Sequence, residues 1–155
     1  FSQSTYDERM RLVEEVVFDT KTKEVFSLTT YIYEQNEMFP TRSEKTFPLN
    51  SEKEIRFYDD MGLLLRQEYW KTELVVLTNW TYDNKNRVIE EQVIYPVEHK
   101  ENKVVYSYKK EFENPDRYWY ENSVLIRQIE FQTATSYVEK IFFPDSPVLI
   151  REGSL

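Results

Sequence analysis

Side chains able to do chemistry are few and poorly grouped in this sequence of 155 residues. His99 is the only histidine, within Pro96-Val97-Glu98-His99-Lys100-Glu101-Asn102, a polar hairpin tip. A solvated tip is a poor place to preorganise a base, and one histidine supplies neither a His-rich metal site nor an evident triad. Cysteine is absent, which removes disulfides, thiolate metal sites and cysteine nucleophiles. No Ser-x-x-Lys motif with its usual companions offers a serine nucleophile. Opposed carboxylates are the remaining enzymatic option, but Glu14-Glu15 and Glu90-Glu91 are strand neighbours that point to opposite faces. Asp59-Asp60, Asp83 and Asp145 sit in turns, where they cap backbone or bind calcium, and no twelve-residue calcium loop is present. With only Gly62 and Gly153, glycine-rich phosphate cradles are excluded. The expectation is a protein that is not an enzyme, with no metal and no cofactor.

Binding chemistry has better candidates. Arg66, Arg127 and Arg151 each follow an apolar triplet, namely Leu63-Leu64-Leu65, Val124-Leu125-Ile126 and Val148-Leu149-Ile150. They should project from equivalent places in successive hairpins. Such a row can hold acidic ligands or a partner's carboxylates, or it can pair with nearby acids such as Glu68, Glu130 and Glu152. Aromatic residues make up 16% of the chain, and Tyr69, Trp80, Tyr106 and Trp119 are candidate ligand or partner contacts, because such rings offer apolar area with a polar handle. The alternative is that they fill space across strands. Asn79-Trp80-Thr81 also fits the glycosylation sequon, which short sequences match by chance.

These residues must be positioned by strands. Runs rich in Val, Ile, Tyr, Phe and Thr, broken by Asp, Asn, Lys, Ser and Pro, predict strands at 10–18, 24–34, 53–58, 63–70, 73–82, 87–95, 103–112, 117–121, 124–131, 136–143 and 148–151. Connections of two to six residues suit antiparallel hairpins and are too short for parallel crossovers. Residues 1–155 are therefore expected to form one all-β domain, an antiparallel up-and-down meander of about 10–12 strands, curled or closed into a barrel-like sheet. Residues 36–51, with Pro40 and Pro48, read as an irregular loop or flap. The first ten residues suit either a short helix or an extended arm. Apolar runs such as Leu74-Val75-Val76-Leu77 call for cover on both faces, or for long side chains shielding an outer face.

An internal repeat organises the chain. Phe57-Tyr58-Asp59-Asp60-Met61-Gly62-Leu63-Leu64-Leu65-Arg66-Gln67 lies over Thr81-Tyr82-Asp83-Asn84-Lys85-Asn86-Arg87-Val88-Ile89-Glu90-Glu91. The frame also takes Phe142-Phe143 through Arg151-Glu152 and, with one residue deleted, Trp119-Tyr120 through Arg127-Gln128. Asp or Asn opens each turn, Gly62 or Asn86 accommodates positive φ, and the aromatic packs on the returning strand. A degenerate copy is expected at Phe18-Asp19-Thr20-Lys21, and an additional hairpin around 98–102. Tyr82-Asp83-Asn84-Lys85-Asn86-Arg87-Val88 resembles the YD repeat of Rhs-type wall and toxin-shell proteins, Tyr-Asp-x-x-Gly-Arg followed by an apolar residue. Tyr58-Asp59-Asp60-Met61-Gly62-Leu63 lacks the Arg. The hairpin repeats of YwqK-like antitoxins are similar too. Both resemblances imply a β-meander used as scaffold, shell or binder, and neither implies a catalytic residue.

Twenty Lys and Arg against 28 Asp and Glu leave a charge of -8, which repels phosphate backbones and anionic membranes. Nucleic acid is not an expected partner. No window approaches the ~18 apolar residues of a membrane span, although a lipid anchor is compatible. The start at Phe1-Ser2-Gln3 suits a processed mature form or a trimmed segment. The resulting expectation is a non-catalytic binding or structural protein, extracytoplasmic in a bacterium (periplasmic or cell surface), with a protein partner or a small apolar ligand. Two alternatives are a barrel carrying an apolar ligand under the 36–51 flap and a cytoplasmic antitoxin whose acidic face meets a basic toxin.

Overall fold

β-branched and aromatic residues fill a pleated, half-buried surface well, and here they do so along almost the whole chain. The computed structural model describes residues 1–34, 37–109, 114–144 and 146–154. Thirteen strands follow in chain order: β1 Ser2–Tyr6, β2 Leu12–Phe18, β3 Val25–Ile32, β4 Arg42–Phe47, β5 Glu52–Tyr58, β6 Leu64–Trp70, β7 Leu74–Tyr82, β8 Val88–Tyr95, β9 Lys100–Ser107, β10 Asp116–Glu121, β11 Val124–Phe131, β12 Ser136–Phe143 and β13 Ser146–Ser154. No helix occurs among the described residues. The fold is the all-β, up-and-down antiparallel meander that the turn spacing predicts.

The structure overturns some expectations and decides between others. The loop expected at 36–51 contains β4, which pairs with β3 (Thr30 opposite Glu44) and with β5 (Glu44 opposite Ile55). Its alternation of Ser43 and Lys45 with Arg42, Glu44 and Thr46 is a strand pattern masked by polar residue types. Asn36 lies outside the described residues, as does the end of the strand expected at 103–112. Of the two forms open to the first residues, the extended one holds: β1 is a strand that pairs along its length with β2. Of the two expected forms, curled or closed, the closed one is not found: β1 pairs only with β2 and β13 only with β12 among the described residues. Closure needs the two end strands to hydrogen-bond to each other at a fixed stagger. Of the apolar runs, Leu74-Val75-Val76-Leu77 is half-buried throughout, whereas in Leu63-Leu64-Leu65 and Val124-Leu125-Ile126 the side chains of Leu65, Val124 and Ile126 are exposed. They follow turns where the register shifts, at Tyr58 opposite Leu64 and Tyr120 opposite Leu125, so the pleat is broken there.

The chain divides into two compact units, Phe1–Asn79 and Trp80–Leu155. In the first, Ile55 is the buried apolar side chain, directly opposite buried Glu68, and Ser27, Thr29 and Ser43 are buried on the other face. In the second, Phe131 and Asp116 are the buried ones. Neither unit has a conventional core. Stability must come from cross-strand pairs, each worth about 0.2–1 kcal/mol, and from the stems of long charged side chains laid over the sheet.

The turns are built to one plan. Asp7, Asp59 and Asp83 each donate their N–H to the carbonyl four residues on, at 3.0 Å. Their Oδ1 atoms accept the N–H groups two and four residues on: Arg9 and Arg11, Met61 and Leu63, Lys85 and Arg87. The residue three after each Asp has positive φ: Met10 at 61°, Gly62 at 82° and Asn86 at 60°. This is the bulged hairpin turn with one left-handed residue. The Tyr6-Asp7 copy went unseen in the sequence because Met10 stands where Gly or Asn is expected. The degenerate copy at Phe18-Asp19 is a true turn, with Asp19 Oδ1 accepting from Lys21 and Thr22.

Candidate functional site

Alternation along each strand decides which candidates share a face, and register decides which ones touch. In the first unit Arg66 stands directly opposite Phe57. Phe57 lies between two guanidinium groups, Arg42 at 5.8 Å and Arg66 at 5.6 Å from the ring centre. Arg42 pairs with Glu44 at 2.7 Å, and Arg66 pairs with Glu68. Glu68 is buried and also accepts from Trp70 Nε1 at 2.8 Å. The Arg66 charge is thus committed within the sheet. Tyr69 is on the opposite face, opposite Glu54. Its hydroxyl bonds Glu52, which raises the Tyr69 pKa and lowers that of Glu52. Arg66 and Tyr69 therefore do not form one site.

The second unit brings four candidates together. Trp119 is opposite Arg127, in the same relation as Phe57 to Arg66, and Arg127 lies 4.6 Å from the Trp119 ring centre. Arg127 Nε donates to Glu139 at 2.6 Å, not to Glu130, which lies on the other face opposite Val138. Arg151 is opposite the same Glu139. This corrects the equivalence of the three arginines: Arg66 and Arg127 face aromatics, but register places Arg151 against an acid. In that ladder Phe143 is opposite Ser146 and Ile141 is opposite Leu149, so the register carries Arg151 past the aromatic position. Asp145 lies outside the described residues.

Tyr106 is opposite Arg117, two residues from Trp119 on the same face. Burial, followed by the Glu91 charge, pushes its phenol upward, and its hydroxyl reaches Glu91 at 3.5 Å. Trp80 is half-buried on β7. Tyr106, Trp119, Arg127 and Arg151 thus decorate one face of β9 to β13.

Sequence reasoning passed over Arg117, whose position two before Trp119 on a strand was the available signal. It also missed the clamp at the Asp turns. Arg87 Nε and Nη2 donate to Asp83 Oδ2 at 2.8 and 2.6 Å. Held by that guanidinium and by the Arg87 and Lys85 amides against the cost of desolvation, the Asp83 carboxyl titrates at about 2. Arg11 holds Asp7 in the same way.

Two open grooves have volumes of about 630 and 500 Å3. The first sets Asp83, Arg87 and Glu90 beside Ile89, Val105 and the Tyr106 and Tyr108 rings, and the second includes Lys100 and Glu101. His99 is exposed at its tip with φ 52°. Among the described residues no group of three or more His, Cys, Asp or Glu is placed to hold a metal, and no helix is long and apolar enough to cross a membrane.

Fold and face together define an antiparallel β-meander that displays aromatic and cationic side chains on a solvated sheet. Residues 3–153 match the model of a family described as an uncharacterised protein, and the chain belongs to that family. No curated protein matches it.

Proposed function

We propose that this protein is a non-catalytic binding module that presents the Trp119 face of β9 to β13 to a protein partner outside the cytoplasm of a bacterium. The supporting observation is the convergence of Tyr106, Trp119, Arg127 and Arg151 on one solvated face. Trp, Tyr and Arg are the residue types that carry most interface energy. A sheet with little buried apolar volume keeps few side chains for its own core and many for display. The compartment rests on the resemblance of the Tyr58 and Tyr82 hairpins to wall-protein repeats.

The test is site-specific photocrosslinking in cells, combined with fractionation. Ile141 lies opposite Arg127 on the proposed face, and Gln128, opposite Tyr118, lies on the other. A photoreactive residue at 141 should give a discrete crosslinked product that disappears when Trp119→Ala and Arg127→Ala are combined. The same residue at 128 should give none. Equal products from both faces, or from neither, would sink the binding face, and recovery of the protein only in the cytoplasmic fraction would sink the compartment.

A further inference from the structure

Arg117 is a half-buried arginine to which the sheet gives no acid. Arg11, Arg42, Arg56, Arg66, Arg87 and Arg127 each hold a carboxylate. Arg117 is half-buried, and among the described residues it has no ion pair. Its Nε is shut off from solvent with no hydrogen-bond partner. The nearby acids are committed elsewhere. Asp116, its neighbour in sequence, points to the other face and is buried, accepting the Phe131 N–H at 2.8 Å and pairing with Lys109 at 2.9 Å. Glu139 belongs to Arg127, Glu130 is 3.6 Å from Lys140, and Glu91 takes the Tyr106 hydroxyl. Arg42 Nε is also buried without a partner, but Arg42 holds Glu44; Arg117 combines such a nitrogen with the lack of an ion pair, and buried donors are costly to leave unsatisfied.

A cavity of about 130 Å3 adjoins Arg117, with Asn114, Ile129, Phe131 and Tyr137 as its other walls. The Phe131 and Tyr137 rings are tilted at 54° with centres 5.8 Å apart. Tyr137 lies over Gly153, where any Cβ would collide with the ring. The aromatic wall is therefore fixed by the absence of a side chain on the neighbouring strand. The volume is close to that of a cavity of roughly 150 Å3 that holds one benzene ring. A guanidinium at the edge of a ring-sized apolar space is complementary to a carboxylate on a compact apolar body.

We propose that Arg117, with Ile129, Phe131 and Tyr137, forms a binding site for a small carboxylate carrying one aromatic or branched apolar group. The carboxylate accepts from the guanidinium, and the apolar body fills the space against the two rings. The site shares a sheet face with Trp119 but does not depend on a protein partner being recognised there.

The test is a titration of the whole chain with benzoate, followed by NMR, with benzamide as the neutral control. Benzoate should produce saturable shifts at Ile129, Phe131 and Tyr137, and benzamide should bind at least ~10-fold more weakly, as expected when a charge-assisted bond is lost. Arg117→Gln should abolish the preference for benzoate, whereas Arg56→Gln, which removes the same charge from the other unit, should leave it intact. Equal affinity for benzoate and benzamide, or the absence of saturable shifts, overturns the site. That contrast is read on the unaltered protein and stands even where Arg117→Gln fails to fold. If N-acetyl-phenylalanine binds alongside benzoate, the carboxylate is that of a chain terminus, and binding of benzoate alone assigns a free acid.

Discussion

The Arg87 guanidinium lies 4.0 Å from the centre of the Tyr108 ring, and the Tyr108 hydroxyl donates to the Val88 carbonyl at 2.9 Å. Arg11 and Tyr33 repeat the relation in the first unit, at 4.5 Å, with the Tyr33 hydroxyl on Leu12 at 2.9 Å. In each case the Asp turn that opens one strand is tied to the tyrosine that closes the next. Two hairpins are thereby locked where little buried apolar area is available to do so.

A double-mutant cycle on Arg87 and Tyr108 should measure that lock. Tyr108→Phe removes only the hydroxyl bond and is expected to cost about 1 kcal/mol. Arg87→Ala and Tyr108→Leu, singly and together, should give a coupling of about 0.5–1 kcal/mol in urea unfolding. Additive losses would show that the stacked geometry contributes nothing.

The meander was legible in the sequence because its signal is local: alternation such as Val104, Tyr106 against Val105, Ser107, and Asp turns at short intervals. The equivalence of Arg66 and Arg127 was legible for the same reason, since the repeat aligns their turns, whereas the aromatic opposite each of them came only from the register. Arg151 failed because the register of its strand places it opposite Glu139, and no residue type announces that register. β4 was missed because Arg42, Ser43, Glu44 and Lys45 carry no apolar alternation. They are held as a strand by neighbours on both sides, so tertiary context rather than propensity decides. Arg117 was invisible for a further reason. Its lack of an acid depends on where Glu139 and Asp116 are spent, which only the ladder shows.

The Asp83 clamp should make stability depend on pH in a defined window. The carboxyl titrates at about 2 in the folded protein against its ordinary 3.8, so the folded state favours the ionised form. That contribution is complete above about pH 4 and is lost as pH falls toward 2. Thermal melts of the unaltered protein and of Asp83→Asn should therefore differ most above pH 4 and converge between pH 4 and 2. A gap that persists unchanged at pH 2 would show that the ionised carboxylate is not what stabilises the turn.

Met10 and Gly62 occupy the same left-handed position in equivalent turns, at φ 61° and 82°, and only one is the residue the backbone prefers. A side chain in this region costs about 1–2 kcal/mol, while glycine loses about 0.5–1 kcal/mol to its freer unfolded chain. Met10 is 79% exposed and packs on little, so Met10→Gly should raise stability by about 0.5–1 kcal/mol. Gly62→Ala should act in the opposite direction and more strongly. It adds the same strain, and its Cβ would stand 2.7 Å from the Phe39 ring, forcing that side chain aside. Urea midpoints at constant m value would record both changes. A Met10→Gly variant less stable than the parent would mean that the methionine, despite its exposure, supplies a contact worth more than the strain it carries.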